Sequence, residues 1–125
     1  MWEQGSADED LLAVAAATLA RRRVSERYRN YLSTLLALLA ESLPEIDATL
    51  REHLANWRLD RLSAIDRGIL RIGTAELLYR NDVPSAVAIH EAIQLAQRYG
   101  SAESGKFVNG VLDAVARAVR GADGA

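Results

Sequence analysis

The chain has 125 residues, enough for one domain with its own hydrophobic core. It has no cysteine and only two histidines, His53 and His90, which excludes disulfides, thiolate chemistry and a conventional Cys/His zinc centre. The net charge is −2, so the chain as a whole does not advertise nucleic-acid binding, yet Arg21, Arg22, Arg23, Arg27 and Arg29 fall close together, either as a local basic patch or as a solvated helix face.

Glycine and proline are sparse and fall mostly between apolar-periodic segments, while Ala, Leu, Arg and Glu dominate. The pattern predicts an all-α protein: a compact bundle of about six helices in a single domain over residues 1–125. The first helix is expected over Ala7 to Leu19, with Ser6 and Glu9 as a capping box. The second begins near Val24 or Ser25 and runs to about Glu41, with Tyr28, Tyr31, Leu32, Leu35, Leu36, Leu38 and Leu39 on a broad apolar face. A break is expected at Ser42-Leu43-Pro44, and Pro44 opens a third helix over Glu45 to Ala55 that turns Ile46, Leu50 and Leu54 inward, with His53 beside that face.

Ser63 is the expected N-cap of a fourth helix, with Asp66 as its acidic partner. This helix carries Ile65, Ile69, Leu70, Ile72, Leu77 and Leu78 and is expected to be central. Gly73 in its middle implies close approach by a neighbouring helix. Asn81-Asp82-Val83-Pro84 ends it and starts a fifth helix, whose buried side is read as Val87, Ile89, Ile93, Leu95 and Ala96. Gly100 stops the fifth helix, and Ser101 is expected to cap the sixth, which carries Phe107, Val108, Val111, Leu112, Val115 and Val119. Gly110 is expected to permit close helix packing, Asn109 to bind RNA or, the preferred reading, to tie down the preceding loop, and residues 121–125 to fray.

No segment is apolar and long enough to span a membrane. Leu11 to Ala20 is too short and follows the acidic Asp8, Glu9 and Asp10, unlike a signal peptide, so the expected location is the cytoplasm. Little in the sequence points to catalysis. Gly100 to Lys106 has the Gly and Lys spacing of a phosphate-binding loop, but Phe107 stands where Ser or Thr is needed and no strand precedes it. His90 and Glu91 are adjacent and point in different directions, and no Glu-x-x-His motif is present. The chain is read as non-enzymatic, with no cofactor and no metal.

The segments Ile65-Asp66-Arg67-Gly68-Ile69-Leu70-Arg71-Ile72, Glu76 to Pro84, Val87 to Ala96 and Lys106-Phe107-Val108-Asn109-Gly110-Val111-Leu112-Asp113, in this order, resemble the NusB family of transcription antitermination factors. The similarity covers about Leu59 to Val119, and Phe107 to Asp113 is its most specific part. Trp2-Glu3-Gln4 resembles the end of the family's first helix, so the chain reads as N-terminally truncated relative to the family, without the helix that carries its Arg-rich motif. The resemblance implies a non-catalytic factor that pairs with NusE, a small-subunit ribosomal protein, and binds boxA-type RNA in transcription antitermination. Residues matching the family's RNA contacts are Glu103, Ser104, Lys106 and Phe107. Arg21, Arg22 and Arg23 form an independent basic candidate. Glu76, Tyr79 and Arg80 match the partner surface, with Glu76 the acidic complement to a basic ribosomal protein.

On the residues' own merits, Phe107 also reads as core and Glu76 as an i,i+4 partner of Arg80. A second copy of the chain, forming a homodimer, would cover apolar surface left by the absent helix; residues upstream of Met1 would do the same. The competing readings are a protein-only or self-associating helical module without RNA binding, and a detached accessory unit of the kind fused to RNA cytosine methyltransferases.

Overall fold

The computed structural model describes residues 26–55 and 58–121. Among the described residues it shows four α-helices and one 3₁₀ turn: α1 (Glu26–His53), the turn Leu59–Arg61, α2 (Ala64–Tyr79), α3 (Ser85–Tyr99) and α4 (Ser104–Arg120). The all-helical class stands, but the count of about six does not. The expected first helix, Ala7 to Leu19, and the basic residues Arg21, Arg22 and Arg23 that follow it lie outside the described residues. The expected second and third helices are one continuous helix.

That merger is the main correction. Pro44 lies inside α1. An interior proline removes one backbone hydrogen bond and crowds the carbonyl four residues back, at a cost of about 3 kcal/mol. Here Ala40 and Pro44 are both exposed, which puts the defect on the outer side of the helix. On the inner side Leu35, Leu39, Ile46 and Leu50 are all 1% exposed or less, and their stripe continues through Pro44 in phase. Burying four large side chains at roughly 1.5–3 kcal/mol each exceeds the proline's cost. α1 ends at His53, whose Nδ1 donates to the Thr49 carbonyl across 2.8 Å, and Ala55 follows in the left-handed region at φ 52°.

α2 is central, as its pattern implies. It packs against α1, α3 and α4, and residues Gly68 to Ala75 are buried without interruption. Such all-round burial is the mark of a helix enclosed by others. Ser63 caps it as expected, accepting from the Asp66 amide at 3.2 Å. Gly73 is the point of close approach: a Cβ there would lie 2.7 Å from Leu112 Cδ1 of α4. Inside the α1–α2 interface Arg71 makes a two-point ion pair with Asp47, at 2.9 and 3.0 Å, with both residues buried.

Three smaller expectations on α3 and α4 are corrected. Val87 is 50% exposed, against expectation, while Leu95 and Ala96 are buried as expected and Ile89 and Ile93 are half-buried; Ser85, Ala88 and Ala92 join the buried side, small residues that let α4 lie close. Ser101 is not the cap of α4. Glu103 holds that position, and Ser104 Oγ accepts from the Ser101 amide at 2.9 Å. Gly110 and Asn109 are both exposed, and nothing lies within 4 Å of a Cβ built at Gly110, so it does not serve helix packing among the described residues. Gly100 does end α3. A Cβ there would meet Ser104 Oγ at 2.5 Å, so only glycine fits this turn.

Candidate functional site

The contacts fix which ends of the helices lie together. α1 and α2 run antiparallel, because Tyr31 reaches Glu76 while Asp47 reaches Arg71. The last turn of α4 meets the last turn of α2, because Arg120 donates to the Glu76 and Leu77 carbonyls. Glu76, Tyr79 and Arg80 therefore sit at one end of the bundle. Glu103, Ser104, Lys106 and Phe107 sit at the start of α4, about 20 Å away along a helix rising 1.5 Å per residue. The structure brings together each of these two residue groups and separates one group from the other.

The first patch is built on the end of α2. The Tyr31 hydroxyl donates to Glu76 Oε2 at 2.7 Å. Burial, then the hydrogen bond to Glu76, pushes the Tyr31 phenol well above its ordinary range. Burial also raises the Glu76 carboxyl, with Glu91 of α3 adding to the rise and Tyr31, Arg80 and Arg120 opposing it. Arg80 does not turn to Glu76. It makes a two-point pair with Asp82, both bonds 3.1 Å, while its guanidinium lies 4.6 Å from the centre of the Tyr31 ring. The pairing with Arg80 holds Asp82 below the usual carboxylate range. Tyr79 is half-buried against the core, and burial raises its phenol. The patch is thus a pre-formed array of acid, cation and aromatic side chains, held at fixed separations.

The second patch is less uniform. Lys106 and Glu103 are exposed, whereas Phe107 is half-buried and packs against the core. Ser104 is 2% exposed and faces the Gly100–Ser101 turn. Lys106 stands in the first turn of α4, where the helix dipole disfavours a cation. Arg21, Arg22 and Arg23 lie outside the described residues, so their relation to this patch is not described.

Sequence reasoning missed three residues of the first patch. Tyr31 read as one more member of an apolar face, Asp82 as a turn residue, and Arg120 was not singled out. Asp82, two residues after Arg80 in a turn, carried a local signal. The partners of Arg120 lie 35 to 44 positions away and left none.

Fold and surfaces together define a small all-helical domain that presents two separate polar patches; among the described residues no group of three or more His, Cys, Asp or Glu is placed to hold a metal. The family model described as NusB family matches residues 2–117, and the chain belongs to that family. It is 49% identical over 88 residues to the transcription antitermination protein NusB of Sorangium cellulosum, covering 70% of this chain and 63% of that protein. It is 42% identical over 109 residues to that of Pseudothermotoga lettingae, covering 87% and 72%. Against the Sorangium protein the chain spans a little under two thirds of the relative's length. Among solved structures, Thermotoga maritima NusB matches with a TM-score of 0.74 at 32% identity, covering 91% of this chain and 87% of that one. A crystal structure of NusB and NusE in complex with double-stranded RNA matches with a TM-score of 0.71 at 24% identity, covering 94% and 97%, a likeness of fold. No helix among the described residues is long and apolar enough to cross a membrane.

Proposed function

We propose that this chain is a non-catalytic adaptor of transcription antitermination in the bacterial cytoplasm, pairing with NusE through the patch around Glu76 and Arg80 and with boxA-type RNA through the start of α4. The observation that carries the reading is its 42% identity, over 109 residues, to a transcription antitermination protein. The solved assembly that shares its fold contains NusE and RNA, which supports the choice of partners.

The chemistry of the patches agrees. Glu76 supplies an acidic group to a basic ribosomal protein. Lys106 supplies a cation for a phosphate, and the part of Phe107 left open supplies a stacking face for an unpaired base. Arg21, Arg22 and Arg23 supply further cations for RNA phosphates.

The test is binding of labelled boxA-type RNA to the 125-residue chain across a salt series, with mass in solution followed in the same samples. Phosphate contacts release counterions, so affinity should fall as salt rises. Lys106→Ala should flatten the log–log slope by roughly 0.7, the share of one phosphate on a single strand. A folded chain whose RNA binding is absent at low salt would overturn the RNA half of the proposal.

A further inference from the structure

Arg120 stands in the last turn of α4, and its five N–H groups each meet an acceptor. Nε donates to the Leu77 carbonyl at 3.0 Å. Nη1 donates to the Val83 carbonyl at 2.7 Å and to Ser85 Oγ at 3.1 Å. Nη2 donates to the carbonyls of Glu76 at 3.0 Å and Arg80 at 2.9 Å. The side chain thus closes the open carbonyl end of α2, where a cation also complements the helix dipole, and ties it to the turn before α3.

Two of those carbonyls belong to Glu76 and Arg80, the residues whose side chains form the first patch. A third, Leu77, lies between them, and Val83 follows Asp82, the ion-pair partner of Arg80. The backbone from which the patch is displayed is consequently held from a different helix, by one planar fork. A lysine keeps the charge, but it has three donors around one nitrogen and cannot span acceptors set out in this way.

We infer that Arg120 is a positioning residue for the protein-binding patch, setting its affinity through Glu76 and Arg80 without touching the partner. This rests on the reading that the patch binds NusE. It makes the last turn of α4 the support on which the partner patch is held, while the RNA candidates occupy the first turn of the same helix.

The test compares the parent chain, Arg120→Lys, Glu76→Ala and the double variant for NusE binding, with boxA-type RNA affinity measured separately in the absence of NusE. Arg120→Lys is expected to weaken NusE binding about ten-fold in the parent background and much less in the Glu76→Ala background, since neighbours acting through one another are not additive. RNA affinity should stay within about two-fold, and amide exchange at Arg80 and Val83 should accelerate. Unchanged NusE affinity, or the same loss in both backgrounds, would overturn the inference in favour of a purely structural arginine. Should Arg120→Lys not fold, Ser85→Ala removes a single acceptor and is expected to weaken NusE binding by about two- to three-fold; no change there counts against the inference equally. A parent chain that binds no NusE would overturn the underlying reading and this inference with it, an outcome distinct from a parent that binds and a variant that binds as well.

Discussion

The phenol of Tyr31 and the carboxylate of Glu76, 45 residues apart in sequence, share a 2.7 Å hydrogen bond that joins the early part of α1 to the last turn of α2. It is a neutral donor on a charged acceptor, in a half-buried setting, and such bonds exceed the ordinary net value of about 1 kcal/mol. Tyr31→Phe should therefore cost about 1–2 kcal/mol in denaturant unfolding, because Glu76 is left short of a donor. It should also weaken partner binding, since the carboxylate is no longer held. A variant as stable as the parent, binding NusE equally well, would show that the bond is incidental.

Glu76 carries a sign that can be measured. Its folded carboxyl is raised above the unfolded value, chiefly by burial. Between those two values the folded state binds more protons than the unfolded state, so this group's stabilising contribution is present below the unfolded value and lost as pH rises through the folded one. Glu76→Gln is neutral throughout and keeps an acceptor for Tyr31. It should be more stable than the parent at pH 7, and the gap should close as pH falls below the glutamate range. Asp82, lowered by Arg80, works in the opposite direction, losing its contribution as pH falls, but it is common to both proteins and cancels in the comparison. The same substitution should weaken NusE binding. Stability and binding moving in opposite directions is the signature of a charge retained for function. Thermal scans of both proteins from acid to neutral pH decide it.

The buried pair of Asp47 and Arg71 makes a different prediction. Asp47→Ala leaves the Arg71 cation in the α1–α2 interface without its carboxylate and should cost about 3–5 kcal/mol. Replacing both residues by apolar side chains of similar volume removes the uncompensated charge, so the double variant should be more stable than Asp47→Ala. Urea midpoints for the two variants separate this from simple additivity, which predicts a double variant worse than either single change.

Two glycines on helices facing the same core should respond in opposite ways. Gly73→Ala drives a Cβ to 2.7 Å from Leu112 Cδ1, and overpacking of that kind costs about 1–3 kcal/mol, more than the helix propensity gained. Gly110→Ala meets nothing within 4 Å and should stabilise by about 0.5–1 kcal/mol. Equal responses in unfolding experiments would contradict the packing described for α2 against α4.

The contrast between these glycines also shows what the sequence could convey. Its helix-period pattern and punctuation placed α2, α3 and α4 well, because Ser63, the Asn81 to Pro84 turn and Gly100 act locally on the chain. Gly73 was interpretable because an isolated glycine in a strongly apolar helix needs a neighbour. Gly110 looked the same in sequence, and only the third dimension shows that its face is open. Pro44 misled for a related reason: its local penalty is visible in the sequence, whereas the burial that overrides it is collective. The in-phase spacing of Leu39 and Ile46 across it was the available counter-signal. Of the first patch, the α2 residues followed from resemblance, but Tyr31 and Arg120 act over long sequence separations that no local pattern records.

The central claim is that protein and RNA are held by separate surfaces at opposite ends of one small bundle. The most direct measurement is a crossed titration of Glu76→Lys and Lys106→Ala chains with NusE and, separately, with labelled boxA-type RNA. The account predicts that Glu76→Lys loses NusE binding by ten-fold or more while RNA affinity stays within about two-fold, and that Lys106→Ala does the reverse. Both partners lost together in folded variants, or neither affected, would contradict it.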